Sequence, residues 1–105
     1  MSIPPICRVL EGRLIASCQA PEEDVFRDPE SMARFAQAAL AGGAVGIRAN
    51  GPDDIRAIRK VTDAPIIGIQ KAIHSDGRVL ITSSFEEAQA LVEAGASMVA
   101  LAATV

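Results

Sequence analysis

Four short apolar segments recur along the chain, and segments with helical periodicity separate them. The apolar segments cover residues 13–19, 44–50, 65–71 and 98–103. A short apolar run without alternation is typical of a parallel strand that is buried on both faces. Between the runs, apolar residues recur at spacings of three and four, which predicts amphipathic helices. The pattern therefore predicts the order strand, helix, strand, helix, strand, helix, strand.

Capping signals mark the ends of the three predicted helices. Asp28 followed by Pro29 predicts the start of the first helix, and Gly42-Gly43 predicts its end. Gly51-Pro52 begins the second helix, and Ser84 with Glu87 forms a capping-box signature at the start of the third.

The apolar stripe of each helix predicts which side is buried. The stripes are Met32, Phe35, Ala36, Ala39 and Leu40 in the first helix; Ile55, Ile58 and Val61 in the second; and Phe85, Ala88, Leu91 and Val92 in the third. Residues 79–82 form a further short apolar piece, which predicts a small extra strand. Repeated strand–helix units of this kind predict an α/β fold with a parallel sheet and right-handed crossovers.

Composition restricts the class of protein. The chain has 105 residues, enough for one domain, and 50% of them are hydrophobic but only 3% aromatic, so the core must be aliphatic. The net charge is −3 with interspersed acids and bases, which gives no basic patch for nucleic acid. No apolar run approaches the roughly 20 residues of a membrane span. Cys7 and Cys18 do not form a disulfide framework, so we expect a reduced, cytoplasmic protein.

Polar residues stand at or near the carboxyl ends of three predicted strands: Gln19, Arg48 with Asn50, and Lys71. Functional groups of parallel α/β sheets collect at this edge. Each residue alone could simply be solvated or satisfy a loop. Together, an amide, a guanidinium and an ammonium group suit a polyhydroxylated, anionic small molecule. A lysine at such a place can act as a general base or as a Schiff-base nucleophile, and the residues leave both uses open.

Other candidate sites are weaker. His74 is the single histidine, and no cysteine or acid beside it completes a metal set, so we expect a surface residue and no metal ion. Gly42-Gly43 fits neither the dinucleotide-binding fingerprint nor the phosphate-binding P-loop pattern.

Four motifs resemble the N-acetylmannosamine-6-phosphate 2-epimerase family. They are SCQA at 17–20, GGAVGIRAN at 42–50, PIIGIQK at 65–71 and VAL-x-AT at 99–104. The resemblance runs from about residue 9 to the last residue.

The resemblance implies a (β/α)8 TIM barrel and an isomerase of sialic-acid catabolism that needs no cofactor. Such enzymes interconvert N-acetylmannosamine 6-phosphate and N-acetylglucosamine 6-phosphate by removing and replacing the proton on C2. By the family pattern, Lys71 is the catalytic lysine, and Gln19 and Arg48 line the sugar pocket. The partner acid, a glutamate, would come from a later strand.

The chain departs from the family pattern at particular motif positions and in length. Ala102 replaces the aspartate of the family motif, and Ala72-Ile73-His74 follows the lysine where the family tends to have an arginine and an aromatic residue. A complete barrel needs about 250 residues. We therefore expect residues 1–105 to be a single N-terminal half barrel of about four strand–helix units, with the C-terminal half absent and little turnover alone. Its two unpaired strand edges predict a homo-oligomer.

Two alternatives remain from the sequence. One is a non-catalytic half barrel that acts as a binding or assembly module. The other is a different phosphosugar-binding barrel enzyme, such as a phosphosugar isomerase or a Schiff-base aldolase.

Overall fold

Four parallel strands alternate with three helices, and a short N-terminal helix and a two-stranded hairpin are added to them. The computed structural model describes residues 3–21, 23–73 and 76–102. In chain order the elements are α1 (Pro5–Leu10), β1 (Ile15–Cys18), α2 (Pro29–Ala41), β2 (Gly46–Asn50), α3 (Pro52–Arg59), β3 (Ile66–Ile69), β4 (Lys71–Ile73), β5 (Val79–Ile81), α4 (Phe85–Ala94) and β6 (Met98–Val99).

The main sheet has the order β1-β2-β3-β6, and all three pairings are parallel. Strands that follow one another in the chain, apart from the hairpin, are neighbours in the sheet. This is the arrangement of successive strands in a (β/α)8 barrel. The predicted α/β fold with a parallel sheet is confirmed.

Helices α2, α3 and α4 cover one face of the sheet, and the main aliphatic core lies between these helices and the sheet. Side chains alternate along β2, so Ile47 and Ala49 face the core whereas Arg48 and Asn50 lie on the other face. The largest side chains without solvent exposure in this core are Met32, Ile47, Ile55, Ile58, Ile66 and Leu91. Burying each such side chain stabilises the fold by about 1.5–3 kcal/mol.

The capping predictions are confirmed. The carboxylate of Asp28 accepts a hydrogen bond from the backbone N–H of Ser31 at 2.8 Å, and α2 begins at Pro29. The hydroxyl of Ser84 accepts from the N–H of Glu87 at 3.2 Å, and Gly95 ends α4 with φ 122°. Both helices therefore begin where a side chain satisfies a free backbone donor.

Four residues of the predicted apolar stripes are exposed instead of buried: Phe35 (41%), Val61 (40%), Phe85 (77%) and Val92 (56%). Phe35 lies beside the core-facing stripe of α2 and meets the ring edge of Phe26 at a centroid distance of 5.5 Å. Phe85 and Val92 share a side of α4 that is turned away from α3 and the sheet, against which α4 packs. Periodicity predicted which positions of each helix are apolar, but not which of these side chains pack against another helix or strand.

Helix α1 was not predicted from the sequence. Pro5 occupies the first turn of the helix, where no backbone N–H is needed. Leu10 lies against the first residue of β2, since a Cβ added to Gly46 would be 2.8 Å from Leu10 Cδ2. Helix α1 therefore closes the amino end of the sheet, opposite the predicted site.

Residues 65–71 do not form one strand. The parallel strand β3 ends at Ile69, and Lys71 begins β4, which pairs antiparallel with β5 in the register Lys71 to Ile81. The extra strand predicted at 79–82 is present as β5. The lysine thus stands at the start of a hairpin that continues from the carboxyl end of β3.

Candidate active site

A cavity of about 750 Å³ opens at the carboxyl end of the sheet. Its volume lies in the usual range for small-molecule sites, about 300–1,000 Å³. The lining residues come from the ends of β1, β2 and β3, from the loop after β1 and from the hairpin: Gln19, Ala20, Pro21, Glu23, Arg27, Asn50, Gln70, Lys71, Ala72 and Val79.

Lys71 and Gln19, which the sequence placed at separate strand ends, line this same cavity. The side chain of Lys71 is exposed, and its backbone N–H donates to Asn50 Oδ1 at 2.9 Å. Lys71 can therefore move its ammonium group while its backbone is held at the cavity edge.

Gln19 lines the cavity and also carries a buried acceptor without a partner among the described residues. Its Nε2 donates to Ser17 Oγ at 2.6 Å, whereas its Oε1 is buried and accepts no hydrogen bond from the described part of the chain. A buried acceptor without a donor destabilises the fold by about 1–3 kcal/mol. A ligand that donates an N–H or O–H would remove that cost once the Gln19 side chain turned its Oε1 towards the cavity.

Arg48 lies near these residues but is not part of the cavity lining. It is half-buried and stands opposite Ser17 in the β1–β2 ladder, one step before Asn50 on the same face of the sheet. The structure therefore brings Gln19 and Lys71 together and places Arg48 deeper along the face that leads to them.

Several residues that line the cavity were not predicted as site residues from the sequence. Glu23 and Arg27 lie in the polar segment between β1 and α2, and Gln70 stands between β3 and β4. Nothing in the spacing of a polar loop indicates which of its side chains turn towards a cavity. Asn50 did carry a signal, because it ends an apolar strand.

Asp54 and Arg27 form an ion pair beside the cavity. Asp54 is 3% exposed in the first turn of α3, and its Oδ2 lies 3.7 Å from Arg27 Nη1. Burial raises the pKa of the Asp54 carboxyl; Arg27 opposes this shift, and Asp53 and Asp28 add to it. Arg27 also lines the cavity, so this pair links the loop after β1 to the start of α3.

The described residues contain no group of three histidine, cysteine or acidic side chains placed to hold a metal ion. Among the helices in the described ranges, none has the length and apolar character needed to cross a membrane.

His74 lies outside the described residues. Ala102, which replaces the family aspartate, donates its backbone N–H to Ile81 O at 2.8 Å and offers no polar side chain.

The comparisons with known proteins agree with one another. Residues 32–105 match the family model NanE, "Putative N-acetylmannosamine-6-phosphate epimerase". Proteins of Clostridioides difficile (strain 630) and Synechococcus elongatus, each named "Putative N-acetylmannosamine-6-phosphate 2-epimerase", are 48% identical over 90% of this chain and 46% identical over 92%. The chain covers 43% and 42% of their lengths, so it spans about two-fifths of these relatives.

A solved structure gives the same result. The N-acetylmannosamine-6-phosphate 2-epimerase from Clostridium perfringens superposes with a TM-score of 0.86 at 40% identity, over 93% of this chain and 43% of that one. The fold is accordingly a partial (β/α)8 barrel, with four parallel strands and alternating helices. On the extent of the family match and the fold it shares with this structure, the chain belongs to the N-acetylmannosamine-6-phosphate 2-epimerase family.

Proposed function

We propose that the cavity at the carboxyl end of the sheet binds a phosphorylated amino sugar, with Lys71 as a proton carrier and Gln19 and Arg48 as substrate-binding residues. The reaction is the interconversion of N-acetylmannosamine 6-phosphate and N-acetylglucosamine 6-phosphate. The observation that carries this proposal is that Lys71 and Gln19, from the ends of two different strands of the sheet, line one cavity. The names of the relatives support the substrate class.

The chemistry suits these groups. In the open-chain sugar, C2 is adjacent to the C1 aldehyde, so a base can remove its proton and leave an enolate. Cationic and hydrogen-bonding groups stabilise that negative charge, and return of a proton to the other face inverts C2. Lys71 carries one proton, the side-chain amide of Gln19 forms a hydrogen bond with the sugar, and Arg48 supplies positive charge. A second proton carrier acts on the opposite face of C2.

We expect little turnover from this chain alone. Lys71 is exposed, and a proton-transfer residue works best in a site from which water is excluded. Binding without turnover is therefore the expected behaviour of these residues.

Binding and proton exchange can be measured by NMR on the same sample. Titration with N-acetylglucosamine 6-phosphate should shift the amide signals of Gln19, Asn50 and Lys71, and Lys71→Ala should weaken binding. Lys60 is the other lysine of the sequence and is exposed at the end of α3, so Lys60→Ala is the matched control. Absence of shifts at the cavity, or shifts elsewhere only, would contradict the proposal. Exchange of the C2 proton in D2O that Lys71→Ala abolishes would contradict the expected inactivity.

Borohydride trapping distinguishes a Schiff-base aldolase from the epimerase. A Schiff-base aldolase would form an imine with Lys71 that borohydride reduces to a stable adduct on the peptide containing that residue. The proposed epimerase uses the lysine for proton transfer, so no adduct is expected with either phosphosugar.

Assembly through the sheet edges is the second candidate function. In the described sheet, β1 and β6 each pair with one neighbour, and Leu14 and Leu101 beside them are 64% and 61% exposed. Unpaired parallel edges favour pairing with another chain. We propose a homo-oligomer in which β1 of one copy meets β6 of another. Separately, because Cys7 and Cys18 are free, we propose a reduced, cytoplasmic protein. Sedimentation tests the assembly: a monomer at micromolar concentration would exclude it, and Leu101→Lys should shift an oligomer towards monomer.

A further inference from the structure

Thr82 adopts a backbone conformation that its side chain disfavours. Its φ is +50°, and it is the one non-glycine residue of the described chain with a positive φ. A β-branched residue in the left-handed region is an outlier, which persists only where surrounding contacts hold it. Such outliers cluster at functional sites, so the contacts that hold Thr82 indicate what it does.

Those contacts converge on the residue before Lys71. Thr82 N–H donates to Gln70 O at 2.7 Å, and Gln70 N–H donates to Thr82 Oγ1 at 3.1 Å. The Thr82 hydroxyl donates in turn to Ala100 O at 2.7 Å, beyond the end of β6. Thr82 is 4% exposed, so water does not compete for these bonds.

Asn50 holds the next residue in the same way. Its Oδ1 accepts the backbone N–H of Lys71 at 2.9 Å, from the carboxyl end of β2. The backbone donors of Gln70 and Lys71 are thus both taken by side chains from elsewhere in the chain, one from the residue after β5 and one from the end of β2. This explains why β3 ends at Ile69 and why the chain turns into the hairpin at this point.

We propose that Thr82 and Asn50 are positioning residues, which fix the Gln70–Lys71 peptide and so keep the base of the Lys71 side chain at the cavity edge. The exposed Lys71 side chain makes no hydrogen bond or ion pair within the described residues that could orient it. Its backbone therefore fixes where the side chain starts, at the cavity edge, and the free ammonium group moves about that point. The inference rests on the proposed function for the role of Lys71, but not for the geometry of the clamp.

Three variants of Thr82 separate the hydroxyl from the backbone strain. Thr82→Ser keeps the hydroxyl, Thr82→Val keeps the branched shape without it, and Thr82→Gly removes both the hydroxyl and the strain, because glycine adopts positive φ freely. If Thr82 served only to form a turn, the Gly variant would keep the local structure best and the Ser variant would have no advantage over Val. If the hydroxyl positions the peptide, Ser alone retains the clamp, however stable the Gly variant is.

The first readout needs no ligand. Loss of the hydroxyl in the Val and Gly variants should speed hydrogen exchange at the Gln70 amide by about tenfold, and Ser should stay near wild type. Asn50→Ala should do the same at the Lys71 amide, and Asn50→Asp, which keeps the acceptor, should not. These two pairs keep the inference testable if one variant fails to fold. Unchanged exchange in a folded Val variant would overturn it.

The second readout follows the lysine itself. Reductive ¹³C-dimethylation labels Lys60, Lys71 and the chain terminus, so Lys60 serves as the internal control. The Lys71 signal should respond to N-acetylglucosamine 6-phosphate in wild type and Thr82→Ser, with affinity about tenfold weaker in Val and Gly. Equal affinity in all variants despite altered exchange would reduce the clamp to a structural role and overturn the inference. No response even in wild type would contradict the proposed function, while the exchange measurement still decides the clamp.

Discussion

Arg27 and Asp54 meet between the loop after β1 and the first turn of α3, with Nη1 and Oδ2 3.7 Å apart. Asp54 is almost completely buried, whereas a third of Arg27 remains exposed. The separation is too long for a hydrogen bond. The free-energy cost of burying the Asp54 carboxylate is therefore offset only in part by the distant Arg27 cation. This imbalance has a consequence for stability that depends on pH.

Asp54→Asn should raise the free energy of unfolding at pH 7. Burial raises the pKa of Asp54, so the folded state holds its proton more tightly than the unfolded chain. The residue therefore stabilises the fold below its ordinary value of 3.8, and this contribution is lost as pH rises through the folded value. Urea unfolding at pH 7, 5 and 4 should show a gain for the variant that shrinks towards acid pH. Lower stability at pH 7 would mean that the pairing with Arg27 outweighs burial.

Asp28 should show the opposite pH dependence. The hydrogen bonds from the Ser31 hydroxyl and then its backbone N–H lower the pKa of the Asp28 carboxyl. Its contribution is therefore present above the ordinary value of 3.8 and is lost as pH falls. Asp28→Ala should destabilise the chain at pH 7 and should differ less from wild type in acid. A constant difference from pH 7 to pH 3 would contradict this, and Asp28→Asn, which can still cap, is the control.

Gly68→Ala should destabilise the chain by about 1–3 kcal/mol, because overpacking forces the sheet and helices apart. An added Cβ would lie 2.9 Å from Ile55 Cδ1 and 3.0 Å from Ala96 Cβ. The Ala96 atom cannot rotate away. Gly42→Ala is the matched control, since its Cβ would lie 3.5 Å from two backbone oxygens in a helical conformation. Thermal unfolding compares the two, and an equal effect in both would contradict the packing argument.

Arg59→Ala should destabilise the chain by about 2–3 kcal/mol, because it leaves several carbonyls without a charged donor. The guanidinium donates to Gly95 O through two nitrogens at 3.0 and 2.8 Å and to Ala64 O at 2.8 Å. It thereby joins the ends of α3 and α4 to the start of β3. Arg59→Lys should recover only part of the loss, since one ammonium cannot reproduce the planar fork.

Arg56→Ala is the control for that measurement. Its ion pair with Asp53 is exposed on both sides, so denaturant unfolding should detect a change of at most about 1 kcal/mol. A loss as large as that of Arg59→Ala would contradict the distinction between a surface pair and a multiply bonded guanidinium.

Local signals predicted the parallel sheet and the helix boundaries. Asp28 and Ser84 each satisfy a backbone donor within three residues, so their effect could be read from the sequence alone. The placement of Gln19 and Lys71 in one cavity followed from a rule of topology, that parallel strands end at the same edge.

What the sequence could not predict depends on contacts between distant segments. Thr82 and Asn50 end β3 early by bonding to Gln70 and Lys71, and no spacing in the sequence connects these positions. The exposure of Phe85 and Val92 is similar in kind, because periodicity shows that a side is apolar but not what covers it. The orientation of Arg27 towards Asp54 is likewise a property of the folded loop.

The main aliphatic cluster lies on the helix side of the sheet, while Arg48, Asn50 and the buried Ile69 lie on the other face. Substitutions of the candidate site residues therefore leave the packing between the helices and the sheet in place. Replacing Gln19, Arg48 and Lys71 together should yield an inert scaffold that keeps its melting temperature, and new specificities could be selected on it without first restoring the fold.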